Sequence, residues 1–231
     1  MPSTRRRQRK RSSLKYAQYA QWMHYFPVEP TMKGQPQYNT KEAQFSITVP
    51  SKAHDTFKII QQYIQLYIKK PINQCTLTDG TACVGGDTLS FSKHFKHVNA
   101  VETNPVHARM LIHNVNVYGR KNVTVYEGDY TKLARTLQQD VVFLDPPWGG
   151  VNYKKNKQTP LFLSNYPISY VASKLLHNRA KLIVLKVPIN FAFGTLFGIP
   201  GFSKERRQPL FKSVHVHHLG NMAIVILHMN A

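Results

Sequence analysis

The sequence predicts an α/β fold: a mostly parallel sheet with helices on both faces, a C-terminal antiparallel hairpin, and an N-terminal helical extension. Three observations lead there. From Cys75 onward, short β-branched apolar runs alternate with amphipathic stretches, the element order that builds a parallel sheet. Several runs end on an acid or a glycine turn, where sheets of this kind bind ligands. The last two runs flank Leu219-Gly220-Asn221, a hairpin signal.

The elements follow in order. Residues 1–13, "MPSTRRRQRKRSS", are expected to be a disordered basic tail: a solubilising arm, a nuclear import signal or an RNA clamp. The Arg- and Ser-rich start also fits a mitochondrial transit peptide. Residues 14–70 form the expected extension. A helix from Leu14 to Phe26 would place Tyr16, Tyr19, Trp22 and Phe26 on one face, as a core or docking stripe, and Pro27 ends it. Residues 31–44 suggest a loop and "FSITVP" a short extended piece; Ser51 is expected to cap a helix over 52–70. Residues 71–231 are the expected core. "CTLTD", "HVNAVE", "VTVYEGD", "DVVFLD" and "KLIVLKVP" are its strands. Helices are expected around Leu89–Phe95 and over "PVHARMLIHNVNVYG", "YTKLARTLQQ" and "ISYVASKLLHN".

A hydrophobic share of 42% is that of an ordinary globular protein, but the charge is unusual. Lys and Arg number 31 against 11 acids, a formal +20, which points to nucleic acid first and an anionic membrane surface second. Cys75 and Cys83 make no disulfide framework, and no apolar stretch reaches membrane-spanning length. An intracellular monomer of nucleus or cytoplasm, neither secreted nor membrane-bound, is expected.

The chemistry should gather at the carboxyl ends of the strands. "TDGTACVGGDT" is a turn between strand and helix in which Thr81, Cys83 and Gly85 can approach a ligand. Glu102 ends the second strand, where an acid pairs with ribose hydroxyls. Asp129 would accept from an adenine amine, and Asp79 would sit near an amino-acid moiety. With no G-x-G-x-x-G, the set suggests S-adenosylmethionine rather than a dinucleotide. "VVFLDPPWGG" then stops a buried strand on an acid, two prolines and an indole. An exocyclic base amine must rehybridise before it attacks a methyl. Acceptors on its hydrogens assist, and Asp145 with the Pro146 carbonyl can supply them. Trp148 offers a face for the base.

At these residues the chain resembles the RNA cap guanine-N2 methyltransferases, or trimethylguanosine synthases. The resemblance runs over most of residues 14–190, through "FSITVPSKAHDTF", "TDGTACVGGDT", "AVETNPVHARMLIHNVNVYG", "EGDY", "VVFLDPPWGGVNY" and "VPIN". It implies a Rossmann-like class I methyltransferase using S-adenosyl-L-methionine, without metal, on capped RNA. It also implies that Trp148 stacks on the cationic 7-methylguanine. Tyr153 and Asn190 follow in matching segments, and Phe45 and Ser46 would help form the cap pocket. Lys154, Lys155, Lys157, Arg206 and Arg207 are candidates for the cap triphosphate. Two departures stand out: Asp145 replaces the usual Ser, making the site more negative, and Cys83 replaces a glycine, which bears on the path of the loop. Alternatives are guanine-N2 or adenine-N6 methylation of rRNA or other RNA, or a non-catalytic RNA-binding subunit. His215, His217 and His218 suggest a metal only superficially, because no further ligand lies near them in sequence.

Overall fold

The structure, a computed structural model, describes residues 22–176, 179–197 and 211–229. The tail 1–13, Tyr16, Tyr19, Arg206 and Arg207 lie outside the described residues.

Four strands fall on the first four predicted runs: β1 (Thr76–Asp79), β2 (His97–Glu102), β3 (Val123–Glu127) and β4 (Val141–Leu144). A small hairpin follows, β5 (Phe162–Leu163) and β6 (Tyr166–Pro167). Then come β7 (Leu182–Pro188), β8 (Phe211–Leu219) and β9 (Met222–Met229). Seven of these make one sheet in the order β3-β2-β1-β4-β7-β9-β8. β1 to β4 and β7 run parallel, whereas β9 is antiparallel to both β7 and β8. The strand order reverses between β1 and β4, so a crevice opens at their carboxyl ends.

The period of two along each strand sorts the core into two layers. Val141, Phe143, Leu182 and Val184 face a layer that contains Phe57, Ile60 and Phe91. Val142, Leu144, Ile183 and Leu185 face the other, with Tyr130, Ile168 and Val171. The α-helices among the described residues are α1 (Lys41–Ser46), α2 (Pro50–Tyr63), α3 (Gly86–Phe91), α4 (Pro105–Val117), α5 (Tyr130–Leu133), α6 (Ile168–Tyr170) and α7 (Gly194–Phe197). α2 and α6 each run on into a wider helical turn, Ile64–Ile68 and Val171–Leu175.

The extension departs from the sequence expectation in detail. Residues 41–46 are helical, where the sequence suggests a loop through 44 and an extended piece from 45, because the Thr40 hydroxyl accepts from Ala43 N–H at 3.0 Å and caps α1. "FSITVP" is therefore divided: Phe45 and Ser46 end α1, and Ile47 and Val49 are extended. Ser51 is not a cap. Pro50 takes the first helical position, where its missing N–H costs nothing, and Val49 precedes it. Trp22 to Phe26 is a turn, with Phe26 N–H bonded to Trp22 O. Both rings are buried with Val84, Leu89, Met110 and Tyr118, so this end of the stripe is a docking face. Glu29 pairs with Arg120 and Lys93 and fastens the extension to the core. The helix predicted over "YTKLARTLQQ" is only the single turn α5.

Two of the three histidines of β8 have a structural account. His215 and His217 hydrogen-bond Tyr67 and Tyr63 of the overlying helix at 2.8 and 2.7 Å. Among the described residues no group of His, Cys, Asp and Glu is arranged to hold a metal ion. Nor is any described helix long and apolar enough to cross a membrane.

Candidate active site

Three adjacent strand ends carry the carboxylates singled out for the nucleotide. Asp79 closes β1 and is buried. Its Oδ2 accepts from the Thr88 hydroxyl at 2.6 Å, and its Oδ1 from Thr81 N–H at 3.3 Å. Burial pushes its carboxyl up to about 7, Asp87 and Asp145 add to the rise, and these hydrogen bonds oppose it. Glu102 closes β2. Its Oε2 accepts from Cys83 N–H at 2.8 Å and its Oε1 from Asn104 N–H at 2.7 Å. Asp129 lies just beyond β3 and caps α5 through Thr131. Burial raises its carboxyl, but bonds from Thr131 and Ser164 and the charge of Lys132 outweigh this and hold it low.

The cofactor loop keeps a compact path without a glycine at 83. Cys83 itself takes a left-handed φ of 48°, which its bond to Glu102 secures. Burial, first, and the Glu102 charge push its thiol up to about 12. Gly85 caps α3. At Gly86 the requirement is close approach: a Cβ there would lie 2.9 Å from the Thr48 carbonyl. The extension thus presses directly onto the turn that would hold the cofactor.

Asp145 follows β4. Its N–H donates to the Thr81 hydroxyl at 2.7 Å, which ties the two loops of the crevice together. Pro146 is buried beside it and Pro147 exposed. Trp148 is half-buried and meets Tyr153 edge-on, with centroids 5.2 Å apart at 83°. Gly149 and Gly150 both have left-handed φ, 87° and 69°, which turns the chain away immediately after the indole. Asn190 braces this segment, because its Nδ2 donates to Tyr153 O and Asn156 O at 2.9 and 2.8 Å. It therefore supports Tyr153 from behind, while its buried Oδ1 has no hydrogen-bond partner among the described residues. Lys154, Lys155 and Lys157 are exposed on the same segment. Phe45 and Ser46 are also exposed, Phe45 by 76%, and no described contact brings them to Trp148.

Sequence reading missed Lys186. It stands in phase with Leu182 and Val184 on β7 and is only 5% exposed. Its Nζ donates to Asp145 Oδ2 at 2.5 Å, to Asp87 Oδ2 at 3.3 Å and to Thr48 Oγ1. Burial alone would lower its pKa, but Asp145 and Asp87 raise it well above the ordinary lysine value. Asp145 is raised by burial first; Lys186 pulls it back, and the nearby Trp148 indole N–H contributes in the same sense. That indole nitrogen is buried without reaching a hydrogen-bonding geometry. A lysine inside an otherwise apolar run, "LIVLKVP", was the available signal, since a buried lysine must be paired.

The acceptor groups fit S-adenosylmethionine. Asp79, raised first by burial and then by Asp87 and Asp145, is bonded to no cation among the described residues, and an ammonium would provide one. Glu102 retains lone pairs for ribose hydroxyls after two amide bonds, and Asp129 is suited to an adenine amine. A sheet of this order with acidic strand ends around a D-P-P-W turn defines a Rossmann-like methyltransferase domain. More particularly, the chain belongs to the RNA cap guanine-N2 methyltransferase family, whose model matches residues 74–217. It is 38% identical over 130 residues to an uncharacterised protein of Acanthamoeba polyphaga mimivirus, covering 54% of this chain and 51% of that protein. It is 29% identical over 119 residues to the trimethylguanosine synthase of Schizosaccharomyces pombe, covering 48% and 46%. The chain thus spans about half the length of the curated relatives it matches. Among solved structures, it is similar to the precorrin-6y C5,15-methyltransferase of Geobacter metallireducens. The TM-score is 0.56 at 15% identity, over 88% of this chain and all of that one, a likeness of fold.

Proposed function

We propose that the protein methylates the exocyclic N2 of a 7-methylguanosine RNA cap. S-adenosylmethionine, when bound, supplies a methyl on a positively charged sulfur, which leaves with the electron pair as the N2–methyl bond forms. Asp79, Glu102 and Asp129 hold that cofactor at the ends of β1, β2 and β3. Trp148 stacks on the base, and its negative face favours the positive charge of the 7-methylated ring. Asp145 and the Pro146 carbonyl accept hydrogen bonds from N2, freeing its lone pair, and the carboxylate takes up the proton that N2 releases. Alignment of an already activated methyl is most of the task.

The observation that carries this reading is one turn, Asp145 to Trp148, that joins an acceptor and an aromatic face at the reversal of the strand order. Affinity provides the test. Cation–π attraction is worth roughly 0.5 to 2 kcal/mol, so 7-methyl-GTP should bind about twofold to thirtyfold tighter than GTP. Trp148→Phe should keep part of that preference and Trp148→Leu should lose most of it. An equal ratio of dissociation constants in wild type and Trp148→Leu would favour an rRNA-type substrate instead.

A further inference from the structure

Lys186 sits at the junction of four parts of the fold. It projects from β7; Asp145 comes from the end of β4, Asp87 from α3 and Thr48 from the extension. An ammonium has three donors, and these acceptors use all of them. Thr48 closes the ring by donating to Asp87 Oδ2 at 2.5 Å. The lysine and Asp87 side chains are 6% and 8% exposed, so solvent hardly screens the cluster. The charges facing Asp145 are Lys186 from β7, Asp87 from α3 and Asp79 from β1, with the Cys83 thiol and Glu102 beyond. Lys186 is the one cation among them.

We infer that Lys186 is the built-in counter-ion of Asp145, a positioning residue that keeps this carboxylate ionised and takes its Oδ2, leaving Oδ1 for the substrate amine. The inference rests on the reading that Asp145 accepts from that amine. Without the lysine, a buried carboxyl beside two others takes up a proton and becomes a donor toward an amine that itself must donate. The ring also links the extension to the reacting group, because Thr48 and Asp145 share the same ammonium.

Stability and rate test this separately. Thermal unfolding of wild type, Lys186→Met, Asp145→Ser and the double variant needs no substrate. Removing the lysine alone should lower the melting temperature strongly. Removing both charges should restore several degrees of that loss, so the effects are far from additive. If Lys186→Met does not fold, recovery of the fold in the double variant supports the pairing. Additive effects, or a double variant no better than Lys186→Met, overturn it. For rate, Lys186→Gln should slow single-turnover methyl transfer at pH 7 by about tenfold or more, and the rate should recover as pH rises and Asp145 ionises. A merely structural lysine would leave the pH profile unmoved, and an unchanged profile contradicts the positioning role. Strong coupling in unfolding with no methylation of any cap would leave the ion pair standing and remove the substrate reading. Normal cap methylation with an unchanged profile would do the reverse.

Discussion

At Glu102 each carboxylate oxygen already holds a backbone amide, so one side chain shapes the loop and, in the proposed reading, also offers its remaining lone pairs to the ribose. Glu102→Ala should therefore weaken S-adenosylmethionine binding by roughly 2–4 kcal/mol, the sum of charge-assisted bonds and a loosened turn. Calorimetry on the folded variant checks this; unchanged affinity would remove Glu102 from the cofactor site. In the proposed reading, Asp79 would make cofactor binding depend on pH. Its folded pKa, about 7, lies above its ordinary value of 3.8, so the native state keeps a proton that the unfolded chain has lost. Its contribution to stability is present at the acid end and is lost as pH rises toward 7. An ammonium ligand favours the ionised form, so cofactor affinity should rise about fivefold between pH 6 and pH 7. In Asp79→Asn that slope should vanish, and a slope retained there would place the titration elsewhere. These acids were legible in the sequence because strand ends in a doubly wound sheet are predictable. Lys186 was not, because its meaning depends on β7 lying beside β4, a contact between distant parts of the chain.

Between elements, a close backbone constraint is the passage of the extension over α3. A methyl at Gly86 would press on the Thr48 backbone, which cannot yield as a side-chain tip does. Gly86→Ala is expected to cost roughly 1–3 kcal/mol of stability, read from denaturant unfolding. It should also weaken cofactor binding, since the same turn is displaced. If stability is unchanged, the extension is not seated as described. The β8 face carries a second dependence on pH. Burial lowers the pKa of His217 and His228, and neighbouring charges add to this, His215 for both and Lys212 for His228. The unfolded chain takes up protons first as pH falls below about 6.5, so stability contributed by these residues is present above that pH and lost below it. His217→Gln should lose less melting temperature between pH 6.5 and 5.5 than wild type does. Strands were read well from sequence because those buried on both faces, such as Val141–Leu144 and Leu182–Pro188, are nearly continuous apolar runs. In the extension α1 was missed and the start of α2 was placed late, because these ends are set by Thr40 and Pro50, local signals that the apolar pattern obscures.

For the whole molecule, the proposed reading divides the work between charge and fold. Of the 31 basic residues, six lie between Arg5 and Arg11, in a tail outside the described residues. Deleting 1–13 should weaken binding to long RNA and flatten its salt dependence, while a free cap analogue should be bound as before. A large loss on the small analogue would put the tail in the active site. The mostly parallel sheet, its C-terminal antiparallel hairpin and the acidic strand ends were implied by the sequence, whereas the strand order was not. The brace from Asn190 to Tyr153 and the Lys186 ring were not, because they join residues 34 or more positions apart. The most direct measurement is to incubate the protein with methyl-labelled S-adenosylmethionine and, separately, 7-methyl-GTP, GTP and capped RNA, then digest to nucleosides and identify the labelled product. Label on N2 of 7-methylguanosine, with little on unmethylated GTP, is the predicted result. Label on adenine, or on guanine regardless of its 7-methyl group, would contradict cap methylation.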